Sequence, residues 1–376
     1  MDTIEYTKSI FSLNMEDIVA DVGEEGLYPI VIHSEDSPTI AFKLFAIGGK
    51  LQLIASDIVE SYKKPYEPYI GSENDICIEQ KLDRVSLQIR NESDEFTDKS
   101  YAIYTIFGGY DKVKMTDEHD FVQHNFLTWR PQIDYVVPGI KQQLSFVIYN
   151  AGPNSSATYP TTSRKLLAKI YFRTLPPIVK ELAVVDSDLS IYRLDCSYNR
   201  IASIVGNDVD DEIVAYDIYG GTEPGDINCV SIKPQRFVVR PHNSSHSHFF
   251  FQNTLGGFDT ITAQGDSKCI ADGEVTTAMT KGVELEISTD YIRTWEVNTG
   301  YITTAQEENL WHEFLRSTNR YILFGDGSYR KIIVEEYKAE RVGFEVGSFT
   351  FKFHYAEAEK GGFAEKSETL PDFFIK

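Results

Sequence analysis

FFFQNTLGGFDTITAQG, residues 249–265, is the stretch on which the fold class turns. Two short runs rich in Phe, Thr and Ile flank Gly256 and Gly257, and a residue without a Cβ gives the backbone the freedom a tight turn needs. The stretch therefore predicts a β-hairpin. The wider glycine pattern that cradles a phosphate is absent, so the turn is a sufficient reason for both glycines. Downstream, Thr304 and Glu307 stand at capping-box spacing. Leu310, Trp311, Phe314 and Leu315 then repeat at helical spacing, which predicts a helix over 304–317 with one apolar stripe. Core packing within the chain is the first reading of that stripe. Docking on a neighbouring subunit is the second, and it makes Trp311 and Phe314 interface candidates.

The same alternation continues to the end. Residues 321–324 and 329–337 flank Gly325-Asp326-Gly327-Ser328, a hairpin signal. SFTFKFHYA, residues 348–356, places Phe349, Phe351, Phe353 and Tyr355 on one strand face. A polar tail follows and ends in Phe373, Phe374 and Ile375, an apolar hook whose two phenylalanines are the other interface candidates.

Towards the N-terminus, TIAFKLFAI, RVSLQIR, YAIYTIF, QLSFVIYN and KLLAKIYF read as strands separated by turn-rich pieces such as NAGPNSSATYPTTS. The expected fold is mainly β: several antiparallel β-sandwich domains with one short C-terminal α-helix packed on a β-hairpin region. Pro176 and Pro177 cannot donate ladder hydrogen bonds and mark a boundary. The expected domains are an N-terminal β-sandwich over 1–173, an immunoglobulin-like middle domain over 174–248 and a C-terminal β-rich domain over 249–376.

With 57 acidic and 36 basic residues the formal net charge is -21, which opposes wrapping a duplex because phosphate neutralisation needs Lys and Arg. Surplus carboxylates keeping a large surface dispersed is the first reading; in an oligomer, an acidic channel lining that lets DNA pass without sticking is the second. Cys77, Cys196, Cys229 and Cys269 are scattered, with no Cys-x-x-Cys, and read as reduced and mostly buried. The first residues lack the basic-then-apolar pattern of a leader, and no apolar run approaches the length of a membrane span, so cytoplasmic synthesis without membrane insertion is expected.

Sites of chemistry are sparse. His242, His246 and His248 form a histidine cluster, and the last two would share one strand face, yet no third-ligand pattern accompanies them. Asn207, Asp208, Asp210, Asp211 and Glu212 concentrate oxygen ligands suited to a hard cation, without the spacing of an EF-hand; a solvated acidic turn explains them. No Gly-x-Ser-x-Gly elbow is present. Carboxylate pairs are plentiful, but a glycan hydrolase is defined by their separation in a cleft. Tyr62, Tyr66 and Tyr69 would stack on sugar rings if exposed, although strands use tyrosine heavily for ordinary cross-strand packing. No catalytic residue, metal or cofactor is assigned.

NFLTWRPQ at 125–132, FFFQNTLGGFDTITAQG at 249–265, and the order TTAQEENLWHEFL, hairpin, SFTFKFHYAEA together resemble virion tail proteins of phages and prophages of Bacteroidetes. The resemblance implies a β-rich, non-enzymatic component of the tail tube, tail tip, baseplate or neck, of the distal-tail kind. It implies assembly as a homo-oligomeric ring, contact with other tail proteins, and residence in the virion. Repeated head-to-tail contacts between strand edges and loops would close such a ring. For so acidic a chain, assembly should depend on salt. A glycan- or receptor-binding virion module is the alternative function, and a glycan hydrolase the second alternative.

Overall fold

The computed structural model describes residues 3–6, 11–34, 37–62, 76–81, 83–90, 96–110, 118–148, 164–185, 190–206, 209–221, 230–241, 243, 245–338 and 347–357. The chain is mainly β, arranged as several largely antiparallel sheets with few helices. In chain order the first elements are β1 (Thr3–Tyr6), β2 (Ile18–Asp21), β3 (Gly26–Ser34), β4 (Ser37–Ala46), β5 (Lys50–Leu53), α1 (Ala55–Tyr62), β6 (Ile76–Lys81), β7 (Asp83–Arg90) and β8 (Phe96–Thr105). Strands β1-β8-β7-β3-β4 make one sheet, and the small β2-β5 pair covers it together with α1. Ile30, Ile32, Val85 and Leu87 from the large sheet meet Ile18, Leu51 and Val59 from its cover in one apolar core. The period of two along these strands is what sends alternate side chains there.

The next elements are α2 (Glu118–His124), β9 (Ile133–Val136), β10 (Gln143–Ile148), β11 (Arg164–Phe172), β12 (Ile178–Val185), β13 (Ser190–Asp195), α3 (Tyr198–Val205), β14 (Ile213–Gly221) and β15 (Val230–Val239). They form a two-layer sandwich in which a five-stranded sheet, β12-β11-β14-β15-β9, faces a three-stranded sheet, β10-β13-β6. Phe146, Tyr192 and Leu194 from the small sheet pack on Leu166, Ile170, Tyr216 and Phe237 from the large one.

This arrangement corrects the expected boundary at residue 174. Pro176 and Pro177 do not link domains; they immediately precede β12, which pairs antiparallel with β11. Prolines are tolerated at the start of an edge strand, where the missing N–H serves no ladder, and β12 is an edge. The turn is held by Asp211, whose Oδ2 accepts from the Thr174 N–H (2.8 Å), the Thr174 hydroxyl (2.9 Å) and the Leu175 N–H (2.8 Å). The expected first sandwich is also two bodies, because β6, β9 and β10 join strands from beyond residue 174.

The C-terminal sheet contains β16 (Ser247–Gln252), β17 (Phe258–Ala263), β18 (Ser267–Thr280), β19 (Val283–Asn298), β20 (Arg320–Leu323), β21 (Tyr329–Lys338) and β22 (Thr350–Tyr355), with α4 (Ala305–Arg316) between β19 and β20. Its order is β17-β16-β20-β21-β22-β19-β18. Strand β16 is buried on both faces: Phe249 and Phe251 meet α4, while Phe250 stacks on Phe258 and packs with Val137 and Ile140 from the sandwich. Phe351, Phe353 and Tyr355 of β22 point to the α4 side. The capping box forms with a shift of one residue. The Glu307 N–H donates to Thr304 Oγ1 (3.1 Å), and the Glu307 carboxylate accepts from the Thr303 N–H (3.0 Å) instead of from Thr304.

Trp311 and Phe314, candidates for an interface, are buried inside the chain at 2% and 0% exposure. The aromatic face of β16 and β22 supplies the partner for the helical stripe, so no neighbouring subunit is needed to cover it.

Candidate functional site

The two most distinctive sequence stretches meet at one buried junction. Asp259, at the start of β17, is fully buried and accepts from Thr128 Oγ1 (2.6 Å), Arg130 Nε (2.8 Å) and Asn253 Nδ2 (2.7 Å). Both side chains of the Arg130–Asp259 pair are 0% exposed. Asn253 Nδ2 also donates to the Leu127 carbonyl (2.9 Å), and its Oδ1 accepts from the Leu255 and Gly257 N–H groups, which fixes the hairpin turn. Trp129 Nε1 donates to Thr254 Oγ1 (2.8 Å), and the Gly109 N–H donates to the Thr254 carbonyl (2.6 Å). A Cβ on Gly257 would collide with the Leu127 carbonyl oxygen, so the second glycine is required for close approach rather than for the turn. Phe11, Ile106, Val122, Val147, Ile191 and Leu255 seal the junction with one apolar cluster drawn from all three bodies.

In front of this junction lies a cleft of about 1170 Å³ between the edge strand β9, the end of β19 and the first turn of α4. Its lining is polar: among 26 residues there are seven Ser or Thr and five Asn or Gln. The carboxylates Asp134, Asp266, Glu296 and Glu307 face it, against the cations Arg240 and Lys268. Both cations are engaged, Lys268 with Glu296 (2.7 Å) and Arg240 on the Tyr135 ring.

Asp134 is the electrostatically unusual member. Its side chain is 19% exposed and lies 3.5 Å from Arg130 Nη1. Burial pushes its carboxyl up from the ordinary 3.8 to about 6, against the opposing pull of Arg130 and of the Tyr135 N–H, and Asp259 and Glu307 add to the rise. Between about pH 4 and pH 6 the native state thus binds more protons here than the unfolded chain. The stabilisation from this group is present below pH 4, falls as pH rises through about 6 and stays low above it. Asp134→Asn, neutral at every pH, is expected to be more stable than the parent by about 3 kcal/mol near neutrality and equal to it below about pH 4. Urea midpoints at both pH values measure this; a difference independent of pH would remove the assignment.

The other expected sites are dispersed. His246 precedes β16 and bonds Asn243 Nδ2 (3.1 Å), whereas His248 is buried within β16 with Nδ1 2.9 Å from Thr262 Oγ1. They have different partners and do not converge. No group of three His, Cys, Asp or Glu side chains suited to a metal occurs among the described residues. Asp210 is exposed, and Asp211 is spent on the β11–β12 turn, whose hydrogen bonds, led by the Thr174 N–H, hold its carboxyl down to about 2. His242, Asn207, Asp208, Tyr66, Tyr69, Phe373 and Phe374 lie outside the described residues. Cys196 is a buried thiol whose burial pushes its pKa up, which makes it inert. No helix among the described residues is long and apolar enough to cross a membrane.

One surface feature escaped the sequence reading. Strands β18 and β19 pair with each other from Ser267↔Val297 to Thr280↔Val283, yet β19 joins β22 only over Trp295, Glu296, Val297 and Asn298. Beyond those residues, among the described residues, the two strands pair only with each other, as a ribbon of about ten residue pairs, roughly 30 Å at the rise of a strand. Its tip is a two-residue turn at Lys281 (φ 54) and Gly282 (φ 80), the positive-φ pair that matches the twist of a hairpin. Val275, Met279 and Val283 are exposed along it, at 52%, 76% and 59%. The signal lay in the Lys-Gly step between two runs of β-formers, SKCIADGEVTTAMT and VELEISTDYIRTWEVN.

Set against known proteins, the chain matches no protein-family model and no curated protein.

Proposed function

We propose that the chain is a non-enzymatic structural component of a phage tail, in the tube, tip, baseplate or neck, that assembles as a ring and meets neighbouring tail proteins. The observation that carries this reading is the β18–β19 ribbon. A two-stranded ribbon is marginally stable alone in water, and this one leaves Val275, Met279 and Val283 exposed. Its free edge strand β18 offers backbone groups for pairing with another chain. Residues 272–290 carry five carboxylates and one lysine, so the receiving surface must supply cations or screening ions. In a closed ring the acidic surplus of the whole chain would suit a lumen that passes DNA without holding it.

Binding is favoured over hydrolysis by how the cleft carboxylates are used. Three of the four are committed: Asp134 Oδ2 is shielded beside Arg130, Glu296 pairs with Lys268 (2.7 Å), and Glu307 Oε2 accepts from Thr303, which leaves Asp266 without a second free carboxyl group. A hydrolase needs two carboxyl groups available to substrate.

The test is native mass by mass photometry at micromolar concentration, at low and moderate salt, on the full chain and on a variant in which residues 271–293 are replaced by a short Asn-Gly turn. The full chain is expected to form a ring-sized species in a salt-dependent manner, and the shortened chain to stay monomeric with an unchanged melting temperature. Assembly that survives removal of the ribbon, or that ignores ionic strength, would count against this mechanism.

A further inference from the structure

We infer that the cleft between β9 and α4 is a binding site for a neutral carbohydrate chain, a function separate from assembly through the ribbon. Three features of its walls converge on that ligand class. The first is the supply of uncommitted amides. Among the described residues the side chains of Gln132, Gln264 and Gln306 have no hydrogen-bond partner, and each brings a donor and an acceptor to the cleft. A polyol presents hydroxyls that both donate and accept, which is the pattern such amides satisfy.

The second feature is aromatic. Tyr301 is 80% exposed and Tyr135 is 44% exposed, and both line the cleft. A tyrosine ring offers an apolar face with a polar tip, fitting the alternating apolar and hydroxylated faces of a sugar ring. Tyr135 is held from one side by the Arg240 guanidinium, so its orientation is set before a ligand arrives.

The third is charge. Four carboxylates and two cations face the cleft, an excess of two negative charges; Lys268 is paired with Glu296, and Arg240 stacks on Tyr135 and keeps its charge. An anionic ligand such as a nucleotide, a phosphate or a uronic acid chain would meet repulsion there. A basic peptide would be attracted by the carboxylates and its backbone would also pair with the free amides, so it is the competing ligand, which a binding array separates from a neutral sugar. The volume, about 1170 Å³, exceeds the usual range of about 300–1,000 Å³ for a pocket holding one small molecule, and the site is an open trough suited to several linked rings.

The walls are preorganised. Asn298 Oδ1 accepts from the Gly300 N–H (2.9 Å) while its Nδ2 donates to Thr350 Oγ1 (3.0 Å), fixing the chain that presents Tyr301. Glu307 locks Thr303 beside it. The connection 299–304 that carries Tyr301 is therefore tied at both ends, to β19 through Asn298 and to α4 through Glu307.

The experiment uses the full chain on an array of neutral oligosaccharides, acidic oligosaccharides and basic peptides, followed by calorimetric titration with the strongest neutral binder. Binding of a neutral oligosaccharide is expected, weakened at least tenfold by Tyr301→Ala and by Gln306→Ala. Tyr337→Ala, at an exposed tyrosine of β21 that does not line the cleft, should leave it unchanged. Both test variants alter side chains at the cleft surface, and retention of the parent melting temperature verifies their fold. The inference is overturned if no neutral oligosaccharide binds, if only acidic glycans or basic peptides bind, or if the two cleft variants bind like the parent. None of these outcomes depends on whether the chain forms a ring.

Discussion

Asp259→Ala is expected to lower the unfolding free energy by about 3–5 kcal/mol, the usual loss when one partner of a buried ion pair is removed. The magnitude follows from what remains behind. Arg130 would keep a fully buried guanidinium whose Nε has lost its acceptor, with Asp134 3.5 Å from Nη1 as its remaining carboxylate. Thr128 and Asn253 would each lose a hydrogen bond as well. Urea denaturation reads the effect, and in a Trp295→Phe, Trp311→Phe background the fluorescence of Trp129 reports it from within the junction, since its indole N–H bonds Thr254 there. The double variant Arg130→Met, Asp259→Leu should recover much of the loss, because an apolar pair of similar volume removes the stranded charge. A single-variant cost below about 1 kcal/mol would mean that water or a rearranged Asp134 takes over the guanidinium, and the junction would then be far less rigid than its geometry implies.

That junction explains why the residues most distinctive in the sequence are not a ligand site. Trp129, Arg130, Asn253 and Asp259 are unusual because their side chains bond across more than 100 residues of chain, Trp129 to Thr254, Arg130 to Asp259 and Asn253 to the Leu127 carbonyl, and Gly257 because it abuts that carbonyl. A sequence pattern reports that a position is constrained without saying by what. Here the constraint is the seam between bodies, and the cleft in front of it uses commoner residues, Gln, Thr and Tyr, that carry no motif.

Local features of the fold were legible and partnerships were not. The helix boundary at Thr304, the hairpin around Gly256 and Gly257 and the alternating face of β22 all rest on chemistry confined to a few neighbouring residues, such as the Thr304 cap accepting the Glu307 N–H. By contrast, β9 lies parallel to β15 with Ile133 opposite Arg236, and β6 joins β13 with Ile76 opposite Leu194. Period-two alternation is identical whichever strand lies alongside, so it cannot choose between them. The diproline turn shows the same limit: a proline pair states that ladder donors are missing, and only the position of β12 at an edge makes that harmless. The site follows the partnerships. With β9 assigned to a separate domain, neither wall of the cleft faces the other.

Trp311→Ala carries the other large expected effect, about 3–5 kcal/mol of stability for truncating a buried aromatic. The indole is 2% exposed and meets Phe314, Phe349 and Phe351 at ring centroid distances of 5.6, 5.7 and 6.0 Å, the first two edge-on. Removing it opens a cavity between α4 and the sheet that rigid neighbours from β16 and β22 cannot close, because Phe249, Phe251, Phe351 and Phe353 are already packed on one another. The measurement pairs thermal unfolding with native mass. A lowered melting temperature with the oligomeric state unchanged is the expected result, and it fits assembly through the ribbon with α4 serving the core. An unchanged melting temperature with lost self-association would instead make the stripe an interface, requiring the helix to leave the sheet on assembly. Because Glu307 and Leu310 of the same helix line the cleft, a loosened α4 should also weaken oligosaccharide binding, whereas removal of the ribbon should not.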